Sequence, residues 1–193
     1  MKQLTSYNRV AGYLNKLFDL LNEHYFENAL VRPTITIQST PRAYGHFSMR
    51  DDTWVSVTGN SNEINIGAGT LARPIENVCA TLLHEMVHYY CHVNGIKDTS
   101  RGNTYHNKRF KEIAESHGLC VEKHPKYGWT ITSPGLPLLD FIEEQGWQDL
   151  QMCEAVSDSP KNMEQRIRRT IAAGMSNIAH MGIEDFMNET YTL

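Results

Sequence analysis

The chain has 193 residues, a formal net charge of −4 and a pI near 6.1. Hydrophobic residues make up 40% and charged residues 21%, ordinary globular values that exclude wholesale disorder, collagen and coiled coil. The acid excess argues against a generic nucleic-acid binder, which carries a basic surface. The charge is unevenly laid out: residues 1–133 hold 14 Lys and Arg against 12 acids, 134–158 hold six acids and no base, and 160–174 hold four bases and one acid. No apolar run approaches the roughly 18 residues of a membrane span. The N-terminus leads into an amphipathic stretch rather than a signal peptide. Cys79, Cys91, Cys120 and Cys153 form no CxxC pair. The expectation is one domain with an appendage, in the reducing cytoplasm and away from membranes.

Taken in chain order, Val10, Leu14, Leu17, Leu21 and Tyr25 recur every three to four residues and predict a helix from Leu4 to Leu30. Pro33 ends it. Thr34–Gln38 alternates as a strand. Tyr44–Met49 and Trp54–Thr58 read as a second and third strand about the turn at Asp51-Asp52. Asn60-Ser61-Asn62 reads as a turn, and Glu63–Ile66 as a short fourth strand. After Gly67-Ala68-Gly69, Pro74 opens a helix with a wide apolar stripe (Ile75, Val78, Leu82, Leu83, Met86, Val87), stopped at Asn94-Gly95. Residues 98–103 read as a polar loop, 104–117 as a helix, 129–132 as a strand and 138–145 as a helix. Beyond Ser157 the spacing predicts a basic helix over 161–173. A short segment with Ile178, Met181, Ile183 and Phe186 follows.

His84-Glu85-Met86-Val87-His88 sits in the middle of the apolar helix. Residues four apart lie one turn up on nearly the same face, so both imidazoles can reach one ion. Glu85 between them can contact a water on that ion. This HExxH arrangement supplies two zinc ligands and a general base. Burying His and Glu unpaired in an apolar helix would be costly, which favours a functional role over a chance match. A catalytic zinc takes a third protein ligand and keeps one position open. His92 lies two turns from His84, about 12 Å along a straight helix, too far to share the ion. The candidates left are His106, near the start of the next helix, and Glu112 or Glu115 within it.

The run Thr81-Leu82-Leu83-His84-Glu85-Met86-Val87-His88, followed by His106-x-x-x-Phe110, resembles the SprT-like metallopeptidase family, which includes Spartan, a protease of DNA–protein crosslinks. The likeness spans roughly residues 10–132. It implies an α+β, zincin-like domain over 1–133, a small twisted sheet packed on helices with the HExxH helix central. It also implies one Zn2+ held by His84, His88 and His106, with Glu85 as general base of a zinc metalloendopeptidase. The substrate would be a protein or peptide, including DNA-associated or DNA-crosslinked protein. Many bacterial relatives carry a four-cysteine zinc ribbon after this domain. Here only Cys153 lies in that region, so no ribbon forms, and a helical extension over 134–193 takes its place.

The hydrolase would act through a zinc-activated water. Tyr105, Tyr127 and Tyr89 are the candidates for oxyanion or substrate contacts. By analogy with other zincins, the strand Ile64-Asn65-Ile66 would pair with an extended substrate. From Lys97 to Lys126, seven bases (Lys97, Arg101, Lys108, Arg109, Lys111, Lys123, Lys126) face four acids, with Tyr105, Phe110, Tyr127 and Trp129 interleaved. This reads either as a face for single-stranded DNA beside the zinc cleft or as a solvated helix face over core aromatics. Lys161, Arg166, Arg168 and Arg169 pose the same choice. Two other functions compete: a non-proteolytic zinc-binding regulatory module, and a protease dedicated to one protein partner without DNA.

Overall fold

Helix α2 (Ile75–Val93) is the centre of the packing. Most of its side chains are buried, and Val78, Cys79, Leu82, Leu83, Met86 and Val87 wholly so, as expected of a helix in the interior of a domain. The structure, a computed structural model, describes residues 2–40, 43–57 and 59–153. The basic helix expected over 161–173 and the segment from Ile178 to Phe186 lie outside the described residues.

Helix α1 (Tyr7–Phe26) adds Val10, Leu14, Leu17, Phe18 and Leu21 to the same core. It starts three residues later than the periodicity predicts. Leu4 is buried instead at the end of strand β1 (Lys2–Leu4), which pairs in parallel with β11 (Leu150–Met152), Leu4 lying opposite Met152. That partner is far away in sequence and leaves no trace in local spacing.

The first sheet has the order β2–β6–β3, from Thr34–Gln38, Glu63–Gly67 and Gly45–Phe47. Strand β2 runs parallel to β6 and β3 antiparallel to it, so β6 is central and buried along its whole length. The expectation that Ile64-Asn65-Ile66 pairs with substrate is therefore corrected: both of its edges are taken. Strands β2 and β3 are the two edge strands of this sheet among the described residues. A separate hairpin joins β4 (Trp54–Ser56) to β5 (Gly59–Ser61), where a turn over 60–62 was expected.

The second sheet has the order β7–β8–β10–β9. Strands β7 (Thr99–Ser100) and β8 (Tyr105–His106) form a tight hairpin inside what reads as loop and helix start. Helix α3 (Lys108–Ser116) begins only after it, capped by Asn107, whose side-chain carbonyl accepts from the N–H groups of Arg109 at 2.8 Å and Phe110 at 3.2 Å. Strand β9 (Leu119–His124) is unforeseen, and β10 (Gly128–Pro134) extends the expected strand at both ends. Helix α4 (Leu136–Glu144) and the turn after it bring Leu138, Phe141, Ile142 and Trp147 into the core. Among the described residues the architecture is mixed, four α-helices packed on small sheets with both parallel and antiparallel pairs, an α+β arrangement rather than the single sheet expected. All four cysteines are free, and no described helix is long and apolar enough to cross a membrane.

Candidate metal centre

Three imidazoles converge on one point. His84 and His88 come from consecutive turns of α2, and His106 from β8. The Nε2 atom of His88 lies 3.2 Å from Nε2 of His84 and 3.0 Å from Nε2 of His106. Neutral imidazoles with their lone pairs turned together repel one another unless a cation lies between them. Tetrahedral zinc with ordinary Zn–N bonds would separate its nitrogen ligands by about 3.4 Å, within a few tenths of what is seen. The donor set also fits: burial, reinforced by the neighbouring imidazoles, holds His84 well below the usual histidine range and His106 down at about 4. Both are thus neutral and able to ligate near pH 7. The three residues form a cluster that could hold a metal ion.

Each ring is fixed differently. His88, itself buried, has Nδ1 2.5 Å from Asp98 Oδ2, and that carboxylate is buried too. His84 Nδ1 lies 3.0 Å from the Thr132 hydroxyl on β10. The Nδ1 of His106 is buried without a partner among the described residues, but its backbone is held on both sides. Thr99 pairs with it across the β7–β8 hairpin, and its N–H donates to the Tyr127 carbonyl at 2.9 Å. On that second side Gly128 lies opposite His106 with φ +76, and a Cβ there would run into the His106 carbonyl and the Tyr105 ring. Only glycine lets β10 approach β8 so closely.

Phe110 is the floor of the cluster. It is fully buried, and its ring centroid lies 4.7 Å from that of each of the three histidines. Asn107 starts α3 directly after His106, which turns Phe110 under the imidazoles. Phe110→Ala is expected to cost about 3–5 kcal/mol, the usual range for emptying such a site. It is also expected to weaken metal retention, because three rings lose a common wall. Chemical denaturation of the metal-free protein and a chelator titration of the loaded protein check the two effects separately.

Glu85 is buried on the adjacent face of α2. Burial, partly offset by His88 and a hydrogen bond from the Phe47 backbone, pushes its carboxyl up to about 7. A cation at the imidazoles would favour its ionised form. Strand β3 passes close over this carboxylate. A Cβ on Gly45 would lie 2.9 Å from the Asn65 carbonyl and 3.1 Å from Glu85 Oε1, so glycine is what admits the strand here. The imidazoles, Glu85 and the edge of β3 together line a cleft of about 560 Å³.

The other residues singled out by sequence sit elsewhere. Glu112 and Glu115 stay on the exposed side of α3, Glu115 paired with Lys111, and neither joins the cluster. His92 turns to Asp51 at 2.7 Å. Tyr89 donates to the Val31 carbonyl and stacks on Phe47, a packing role. Tyr105 lies under Arg101, and Tyr127 stacks on His124. Neither lines the cleft. Sequence reasoning missed Asp98, Thr132 and Gly45. The first two carry no local signal, since their partners lie 10 and 48 residues away.

Comparison with known proteins gives two family matches. The model of the SprT-like family matches residues 14–127, and that of the YcbB domain matches residues 139–193. No curated protein and no solved structure matches the chain.

Proposed function

Since the chain belongs to the SprT-like family, we propose that it is a zinc-dependent metallopeptidase with a zincin-like active site. The observation that carries this reading is the convergence of the His84, His88 and His106 Nε2 atoms beside the Glu85 carboxyl in one cleft. His84, His88 and His106 would hold a zinc ion, and the bound ion would supply polarisation of a carbonyl and acidification of a water. Glu85 takes the water's proton and delivers it to the leaving amine, the work of a general base that becomes a general acid. The free edge of β3 accepts an extended polypeptide as an added strand. Such pairing reads backbone more than side chains and suits a protease of low sequence preference. Tyr105 and Tyr127 lie outside the cleft wall, so oxyanion stabilisation is assigned to neither.

Casein cleavage by the purified chain tests this function. Hydrolysis is expected to stop on treatment with a strong chelator and to return with Zn2+ but not with Mg2+. A metal-loaded protein that cleaves no protein or peptide would overturn it in favour of a non-proteolytic zinc module.

For a partner we propose single-stranded DNA, on the face where α3 meets the β9–β10 hairpin. The ammonium groups of Lys111 and Lys123 lie 5.1 and 5.8 Å from the Trp129 ring centre, and that of Lys126 5.1 Å from Tyr127. Rings flanked by cations offer stacking and phosphate contacts together. Three or four phosphate contacts would give a log–log salt slope of roughly −2 to −3 on single strands. Replacing Lys108, Arg109 and Lys111 together by Glu is expected to flatten that slope and to lower cleavage of a DNA-crosslinked protein. The matching change at Arg166, Arg168 and Arg169 reports on the extension. Unchanged binding and cleavage in both variants would leave a protease dedicated to one protein partner.

A further inference from the structure

Within this reading of the metal site, we propose that Asp98 is a positioning residue for the metal, acting through His88. The segment that carries it would then set the centre's affinity together with α2. Asp98 is only 4% exposed, and its carboxylate lies 2.5 Å from His88 Nδ1. Among the described residues, His88 is the only side chain hydrogen-bonded to that carboxylate. An ionised carboxylate only accepts hydrogen bonds, so the shared proton belongs to Nδ1 and the His88 lone pair is left on Nε2. That atom is the one facing His84 and His106. Asp98 thereby selects the tautomer, fixes the ring plane and increases the electron density that Nε2 offers to a cation.

The same short segment also holds the third imidazole. Thr99, the next residue, pairs with His106 across the β7–β8 hairpin. The Asn107 N–H donates to the Asp98 carbonyl at 2.9 Å, and the Asn107 side-chain amide donates to the Lys97 carbonyl at 2.7 Å. Residues 97–107 thus close on themselves as a clasp. It grips His88 through a side chain and His106 through the backbone. Among the described residues the three ligands are therefore unequal: a carboxylate stands behind His88, a hydroxyl behind His84 and no partner behind the Nδ1 of His106. A buried carboxylate placed behind a ligand also offsets part of the charge of a dication, which a hydroxyl cannot do. Removing the Asp98 carboxylate should accordingly matter more than removing the Thr132 hydroxyl.

The test uses the full chain, stripped and reloaded with Zn2+ or Co2+, and the variants Asp98→Ala, Asp98→Asn and Thr132→Val. Zn2+ affinity is read by competition with a chromophoric chelator, ligand geometry from the visible Co2+ spectrum, and folding from thermal melts of the metal-free protein. Asp98→Ala is expected to weaken Zn2+ about 10- to 100-fold and to shift the Co2+ bands. Asp98→Asn should recover part of the affinity, because its carbonyl accepts the same N–H without the charge, and Thr132→Val should lose less than Asp98→Ala. A lower melting temperature with wild-type affinity and spectrum would show Asp98 to be merely structural and overturn the proposal. If Asp98→Ala does not fold, Asp98→Asn decides, and wild-type affinity and spectrum there overturn it as well. His88→Ala keeps the two failures apart. Undiminished affinity in that variant refutes the metal site itself, whereas loss there with none at Asp98 refutes only the positioning role.

Discussion

Replacing Glu85 by Gln is expected to leave the fold and the bound metal in place and to remove hydrolysis. The substitution keeps the side-chain shape and removes only the charge and the ability to take a proton. Glu85 is not among the three residues whose nitrogens converge, so metal content should stay at one ion per chain. The amide fits the space under β3, where Gly45 leaves room and the Phe47 backbone supplies the carboxylate's hydrogen bond. Burying a neutral amide there also costs less than burying a carboxylate, so stability should be unchanged or slightly higher. Turnover should fall by at least about 10²-fold, the lower end for general acid–base catalysis. Metal analysis, a thermal melt and casein cleavage on one preparation check the three parts. Wild-type turnover in this variant would remove Glu85 from the mechanism, while loss of metal would recast it as a ligand.

What could be read from the sequence follows from the range of the forces involved. Helix α2 was legible because its apolar stripe is so wide that two histidines and a glutamate inside it stand out. Strand β6 and helix α4 were legible for a similar local reason. The β7–β8 hairpin was not. Its strands are two residues each, too short to show a period of two, and the polar run around Arg101 and Asn103 looks like any loop. His106 therefore read as part of a helix start, though it lies on a strand just ahead of the cap at Asn107. Strand β9 does alternate, with Leu119 and Val121 buried and Cys120 and Glu122 exposed. Its charged second half masks the pattern. The free edge of β3 and the β1–β11 pair depend on which strands become neighbours, and no window of residues encodes that. The HExxH motif was thus local information, whereas the places of Asp98, Thr132 and Gly45 beside it are set by the fold.

His106→Ala carries the second large effect. His84 and His88 share a helix and stay one turn apart whatever happens elsewhere, so the variant keeps a two-imidazole site. Two imidazoles leave half of a tetrahedral shell to water, and structural or catalytic zinc uses at least three protein ligands. The loss of Zn2+ affinity should therefore exceed the roughly 10- to 100-fold typical of outer-shell changes. Neither Glu112 nor Glu115 can step in without rearrangement, because both lie on the exposed face of α3, away from the cluster. The fold itself should persist. His106 is not part of the hydrophobic core, which draws on α1, α2, α3, α4 and β6, while the backbone of residue 106 would still pair with Thr99 and Gly128. Chelator competition should show the weakened site, and a melt of the metal-free variant should match that of the metal-free parent. Retained affinity would mean that another group completes the shell, and the three-histidine centre would have to be abandoned.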